Sequence, residues 1–538
     1  MNEADHNKRV VLPQWLPFRQ ASSQREAGAF QSTETPVDFG PAQQAFVEAL
    51  EEFRVSPSPY VAIELMGTAQ VLGRTEVARQ MAEYVLTQNF LGSVAHTQAL
   101  AVLGRESHFP LGDQRAQLKL TKQRVQKFPR DAIAWLDQAR LYTILGSYQN
   151  ARRSVLAALH LAPGERFITR SAIRFFVHFG KWDEALQHAQ RAYALNADPM
   201  IFGPLLSVAS RLGKLPAQVK GVVKGALASP NQFLHSETLE AFGTLELMAG
   251  ADQRSKPYFR QAWRDPALSV VGHSQWILRE HLPTLAPDQK INFWTSKEAV
   301  SWLRFNTLDF GQTTIDANEW ALEEPFSRSP HILGTIAACI SGDFANAAQV
   351  AERGLIANPK DDILQNNLAF ALLRDGRVIE GEKAFAPLLS RVDDKKEVAI
   401  AATYGLLLMS KGQVAAGTQY YLEAINRAVE LKDRRNAVRA SLNFIVSNLE
   451  ATKTIDSGLL KSVQTAIAEL RDPACLGVAA VLAKQLKASD LGGSDTLSTA
   501  AREFAESVDR SREKFQQSVV ANLLAASPKP PPPDGGAA

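Results

Sequence analysis

From about residue 45 onward, apolar positions recur three and four apart and strand-like alternation is nearly missing, so the pattern predicts helices almost throughout. In "AWLDQARLYTILGSYQNARRSVLAALHLAP", residues 134–163, Leu136, Ala139, Tyr142 and Thr143 fall on one helical face until "LGSY" breaks the run at Gly146. A second helix is predicted from Tyr148, with Ala151, Val155 and Ala158 along one side, until "LAPGE" stops it. Alanines at that spacing let a neighbouring helix approach closely, and two antiparallel helices joined by a tight turn are the simplest outcome. Residues 1–44 lack this pattern. Pro13, Pro17, Pro36 and Pro41 interrupt them, and "VLPQWLPF" reads either as an ordered extended arm or as a loose tail.

The unit recurs. Trp135, Ala139, Tyr142, Gly146, Tyr148, Ala151, Ala158 and Pro163 form a pattern that resembles the tetratricopeptide repeat, whose period is 34 residues, with Val155 standing where that family usually has an aromatic. Gly180, Ala185, Ala189 and Ala192 lie 34 residues beyond Gly146, Ala151, Val155 and Ala158. Gly342, Phe344, Ala347, Ala351 and Pro359 mark a third unit, Gly376, Gly381 and Phe385 a fourth, and Gly412, Gly417, Tyr421 and Ala424 a fifth. Degenerate copies surround Gly73, Gly213 and Gly250, and Pro129 ends a unit whose helices are separated by the insertion "GRESHFPLGD". The resemblance implies an all-α, right-handed superhelical solenoid of antiparallel helix pairs, whose neighbours share one continuous core and leave a concave surface for binding.

Expected boundaries are an irregular arm over 1–44, a first repeat block over 45–265, a divergent junction over 266–327, a second block over 328–431, a C-terminal helical region over 432–525 and a disordered, proline-rich tail over 526–538. The junction region concentrates tryptophan, at Trp263, Trp276, Trp294, Trp302 and Trp320. These either pack an irregular joint or present an aromatic docking surface, for which Trp276, Trp294 and Trp302 are the candidates. The final helix carries Phe504, Val508, Phe515, Val519 and Leu523 near one face, suited to capping the last helices or to meeting a partner.

The net charge of +3 on 538 residues is too small to mark the whole protein as a nucleic-acid or membrane binder. No apolar run reaches membrane-spanning length, the first dozen residues lack a signal-peptide core, and Cys339 and Cys475 are far apart, all of which fits a cytoplasmic protein. No two glycines stand two apart, which excludes a dinucleotide-binding loop, and no phosphate loop occurs. No two of the ten histidines lie within five residues, which excludes zinc-protease and zinc-finger spacings. No catalytic residue, metal or cofactor is expected.

Charge is uneven, however. Between Asp113 and Arg174 twelve basic residues oppose four acids. In the repeat family, positions one and five after the signature aromatic tend to face the groove. Arg140 stands five after Trp135, and Arg170 and Arg174 hold the equivalent places in the next unit, so the resemblance implies a stripe of three groove arginines suited to carboxylate or phosphate. Leu136 replaces one lysine of the carboxylate clamp found in chaperone-binding members, which disfavours that ligand. The expected function is a non-enzymatic scaffold or adaptor holding another protein, through an acidic segment, in the repeat groove. The alternative is nucleic-acid binding through 113–174. Oligomeric state is open.

Overall fold

The computed structural model describes residues 9–17, 40–72, 74–88, 99, 102–103, 111–470, 472–488 and 495–528. Every regular element among them is a helix, as the 3.6-residue apolar period dictates. None is long and apolar enough to cross a membrane. The chain divides into two compact units, 28–123 and the remainder, so the division falls inside the segment expected as one block over 45–265.

Unit 28–123 contains α1 (Gly40–Val55), α2 (Pro59–Val71) and α3 (Thr75–Thr87). They share a small core of their own: Phe46, Leu65 and Ala69 on one side of α2, Met66, Ala82 and Val85 on the other. Gly73 and most of the insertion "GRESHFPLGD" lie outside the described residues. Helix α4 (Leu111–Lys127) spans the division.

In the other unit the predicted hairpins follow one another: α5 (Ala132–Ile144) with α6 (Tyr148–Leu161), α7 (Arg166–His178) with α8 (Trp182–Asn196), and α11 (Gln232–Met248) with α12 (Asp252–Ala262), while α9 (Pro199–Leu212) packs against α11 rather than against the short α10 (Val219–Ala228) that follows it. Through the tryptophan-rich region run α13 (Leu268–Glu280), α14 (Lys297–Asn306) and α15 (Phe310–Glu323). Beyond them come α16 (Arg328–Ser341) with α17 (Phe344–Ala357), α18 (Asp362–Arg374) with α19 (Val378–Phe385), and α20 (Val398–Ser410) with α21 (Val414–Glu430). The chain then forms α22 (Arg434–Thr452), α23 (Ser457–Leu470), α24 (Pro473–Ala488), α25 (Asp495–Phe515) and α26 (Ala521–Ala525).

Short acidic caps start many of these helices. Asp131 accepts from the Ala134 amide and Asp361 from the Leu364 amide, each at 2.9 Å, satisfying donors that the first turn leaves unpaired. The alanines of the repeat pattern, Ala139, Ala151, Ala158, Ala185 and Ala189, are fully buried where helices meet. Polar bonds also repeat from rung to rung. Asn196 donates to the Gly164 carbonyl at 2.8 Å, and Asn358 to the Phe326 carbonyl at 3.0 Å, both across 32 residues. Arg166 pairs with Asp198 and Arg328 with Asp361, so a basic residue opening one hairpin holds the N-cap of the next.

The turn glycines adopt the left-handed backbone that L side chains resist, Gly146 at φ +69° and Gly180 at φ +68°. Their surroundings differ. A Cβ on Gly146 would lie 2.7 Å from the Ile356 carbonyl oxygen, whereas one on Gly180 would meet open space. Gly180→Ala is therefore expected to cost about 1–2 kcal/mol of backbone strain, and Gly146→Ala that plus about 1–3 kcal/mol of overpacking. Urea unfolding of the two variants side by side checks this; equal losses would contradict the contact.

That contact also shows that the first hairpin of this unit packs against α17. Arg140 likewise reaches the Glu323 carbonyl, 183 residues further along the chain, at 2.8 Å.

The final helix packs inward. Phe504, Val508 and Phe515 of α25 are buried against α23 and α24, while Leu523 and Ala526 join the core of the α5–α14 region. The Ile291 amide donates to the Ala526 carbonyl at 2.8 Å, and the Trp294 indole donates to the Pro528 carbonyl at 3.0 Å. Residues 526–528, expected in a disordered tail, are thus seated on the protein because two donors and an apolar socket receive them. Residues 529–538 lie outside the described residues.

Candidate functional site

The repeat register places one column of side chains on a common face. Arg140, Arg174, Ser207 and Thr244 each stand six residues before a turn glycine, Gly146, Gly180, Gly213 and Gly250. Against these helices lies an extended piece of the chain itself, residues 9–17. Trp15, 1% exposed, sits between the rings of Phe175 on α7, edge-on at 6.1 Å, and Phe326, at 5.3 Å. Arg140 donates from Nε to the Trp15 carbonyl at 3.1 Å. Val11 and Leu16 are buried with Trp15, and Arg9 forms an ion pair with Glu298 on α14. Of the two readings of "VLPQWLPF", residues 11–17 follow the ordered arm. Pro13 and Pro17 favour the extended backbone.

All three groove arginines are present, but not as a solvent-open stripe. Arg140 is spent on the carbonyls of Trp15 and Glu323, and burial holds its guanidinium down to about 10, with Asp137 and Glu324 pulling the other way. Arg170 is almost wholly buried. It donates to the Met200 carbonyl at 2.6 Å and grips Glu237 of α11 with both terminal nitrogens, one of them at 3.0 Å, while Ser269 also donates to that carboxylate. Glu237 needs Gly203 beside it, where a Cβ would come within 2.6 Å of its own Cβ. Arg174 faces Glu324 at 3.4 Å and lies 5.2 Å over the Phe326 ring. The stripe expected to meet an acidic ligand is thus occupied from within: each positive charge inside a stacked protein needs an acceptor, and the stack itself supplies one.

A second buried network lies beside the arm. Glu240 on α11 accepts from the Trp263 indole at 2.9 Å and sits 2.8 Å from Nδ1 of His273 on α13. Burial raises the Glu240 carboxyl well above its ordinary range. It also pushes His273 well below its own, helped by the Arg9 charge and opposed by a hydrogen bond to the Arg9 backbone. Burial thus works against the charged form of both groups.

His178, at the end of α7, lies edge-on to Phe326 at 5.4 Å. Burial, with the charges of Arg174 and Arg328, holds it down to about 3. Because its folded value lies below the unfolded one, near 6.5, its contribution is complete above pH 6.5 and declines as the pH falls. Between pH 7 and pH 5 the wild-type chain is expected to lose about 2 kcal/mol more than His178→Phe. Urea titrations at both pH values check this, and an identical pH response in the two chains would contradict it.

Of the two readings of Trp276, Trp294 and Trp302, irregular joint or docking surface, their contacts fit the joint. Trp276 is buried between His273 and His281. Trp294 is partly buried, bonded to Pro528 and overlaid by Arg304 at 5.3 Å, while Trp302 lies under Arg279 at 5.0 Å and against Phe305. An irregular joint between hairpins leaves large gaps, and indoles fill them. The basic stretch also splits. Arg115, Lys119 and Lys122 are exposed on α4, while Arg152 and Arg166 pair with Glu184 and Asp198 of the following rung. Among the described residues no cluster of His, Cys, Asp and Glu has the grouping to hold a metal ion. Trp15 is the residue that sequence reasoning missed; the signal available was a lone tryptophan flanked by prolines in otherwise irregular chain.

No family profile matches the chain, and no curated protein matches it. Solved structures do. The Cut9–Hcn1 hetero-tetramer of the APC/C is 11% identical, with 86% of this chain and 93% of that one covered and a TM-score of 0.31. A human IFIT1 dimer with PPP-AAAA gives 11% identity, 89% and 96% coverage and a TM-score of 0.29. Yeast Tom70 gives 11% identity, 90% and 99% coverage and a TM-score of 0.26. The hairpins stacked from α5 onward, with their recurring turn glycines and rung-to-rung asparagine bonds, give this chain an all-α helical-repeat fold of the kind that the tetratricopeptide resemblance implies.

Proposed function

We propose that the protein is a non-enzymatic interaction scaffold that holds an extended segment of a partner protein along the inner face of its repeats. One observation carries this reading: that face already holds an extended polypeptide, residues 9–17, by an aromatic socket, an ion pair and a side-chain bond to a main-chain carbonyl. A surface able to seat one extended strand has the means to seat another. The acidic partner expected from the arginine stripe is not favoured, because Glu237 and Glu324 already balance Arg170 and Arg174.

The test is affinity capture with the tagged full chain from lysate of its source cells, followed by cross-linking mass spectrometry. The expected result is a stoichiometric partner whose cross-links fall on α5 to α15. No stoichiometric partner, or cross-links confined to α20–α26, would count against the proposal.

A further inference from the structure

We infer that this groove selects an extended segment in which a cationic residue precedes a tryptophan by six positions, and that residues 9–17 hold it closed until such a segment competes. The inference rests on the scaffold reading and adds to it the chemistry of the ligand.

The two ends of the arm define that chemistry. At one end Glu298 faces Arg9, and its position depends on Gly272, where a Cβ would lie 2.6 Å from the Glu298 carboxylate. Burial, with the nearby Arg279 charge, holds Arg9 down to about 10, and Glu298 is the carboxylate set against it. At the other end Phe175, Phe326 and the Arg140 guanidinium enclose the indole and carbonyl of Trp15. Between them Val11 and Pro13 are buried, and a proline-stiffened strand enters already extended, losing little freedom.

The same contacts make the arm replaceable. Among the described residues its main chain makes no backbone-to-backbone hydrogen bond, so leaving breaks no ladder. Its fit is also incomplete. The Gln14 side-chain oxygen is buried without a hydrogen-bond partner among the described residues. A segment that pairs the polar group it buries at that position gains a bond the arm does not make. Covalent attachment compensates for the arm, giving it an effective concentration of about millimolar.

The experiment uses the full chain and a fluorescein-labelled synthetic peptide of residues 8–18, KRVVLPQWLPF, followed by fluorescence anisotropy. Trp15→Ala empties the aromatic socket, and Arg9→Glu sets the arm against Glu298. The peptide is expected to bind both variants at least about tenfold more tightly than it binds the wild type. Peptides carrying Glu at the Arg9 position or Ala at the Trp15 position are expected to show no saturable binding. Equal binding to wild type and variants, no binding to variants that still melt cooperatively, or failure of both variants to fold would overturn the inference, the last because the arm would then be fixed core. Wild-type dimers that Trp15→Ala converts to monomers would overturn it too, because the groove would then hold a second copy's arm. If the peptide fails while partner capture persists, the scaffold reading stands and only this inference falls.

Discussion

Replacing Glu237 by alanine is expected to lower the unfolding free energy by about 3–5 kcal/mol, one of the two largest single-site losses in the repeat stack. Its carboxylate is the counter-charge for Arg170, and both side chains are almost fully out of water. In the variant the guanidinium keeps its bond to the Met200 carbonyl but loses the Glu237 carboxylate, and Ser269 loses an acceptor. A cavity also opens beside Gly203. The loss reports removal of one partner rather than the net worth of the pair. Replacing Arg170 and Glu237 together by methionine is therefore expected to recover most of it. Urea unfolding of the single and double variants checks both statements, and a loss under about 1 kcal/mol in the single variant would contradict the burial of this pair.

The second large effect is expected at Asp472, which ties α24 to α22. Its carboxylate faces Arg439 at 3.1 Å and Arg435 at 3.8 Å, and it caps α24 by accepting from the Cys475 amide at 2.9 Å. Arg435 reaches on to Glu280 at the end of α13, so the cluster joins the C-terminal helices to the tryptophan-rich region. Burial alone would raise the Asp472 carboxyl, but Arg439, the Cys475 amide and Arg435 together hold it well below the usual range. Asp472→Ala is expected to cost about 3–5 kcal/mol at pH 7, from a broken buried pair and a lost cap. Because the folded value is depressed, the contribution is complete above about pH 5 and fades as the pH falls below the unfolded value near 4. The gap between variant and wild type should therefore shrink in acid, and a gap independent of pH would contradict the ion-pair origin.

Local chemistry made the hairpins readable in the sequence. Ala139, Ala151, Ala158, Ala185 and Ala189 are buried at helix contacts, and Gly146, Gly180, Gly342, Gly376 and Gly412 occupy left-handed turns, because the 34-residue period records packing between neighbours. The candidate site was readable only in part. Arg140, Arg170 and Arg174 do share an inward register, but their acceptors lie at Glu323, Glu237 and Glu324, 183, 67 and 150 residues away. Which distant element reaches a given arginine depends on how the stack curves, and that curvature is a sum of small rung-to-rung rotations that no repeat motif encodes. Trp15 escaped for the same reason. An extended arm has no period, and its meaning comes only from the socket built by Phe175 and Phe326.

The most direct measurement places benzoylphenylalanine at position 15 of the full chain, irradiates it and maps the products by mass spectrometry. The expected result is an intramolecular cross-link to peptides containing Arg140, Phe175 or Phe326. Cross-links only to other peptides, only between chains, or none at all would contradict an inner repeat face that seats an extended polypeptide.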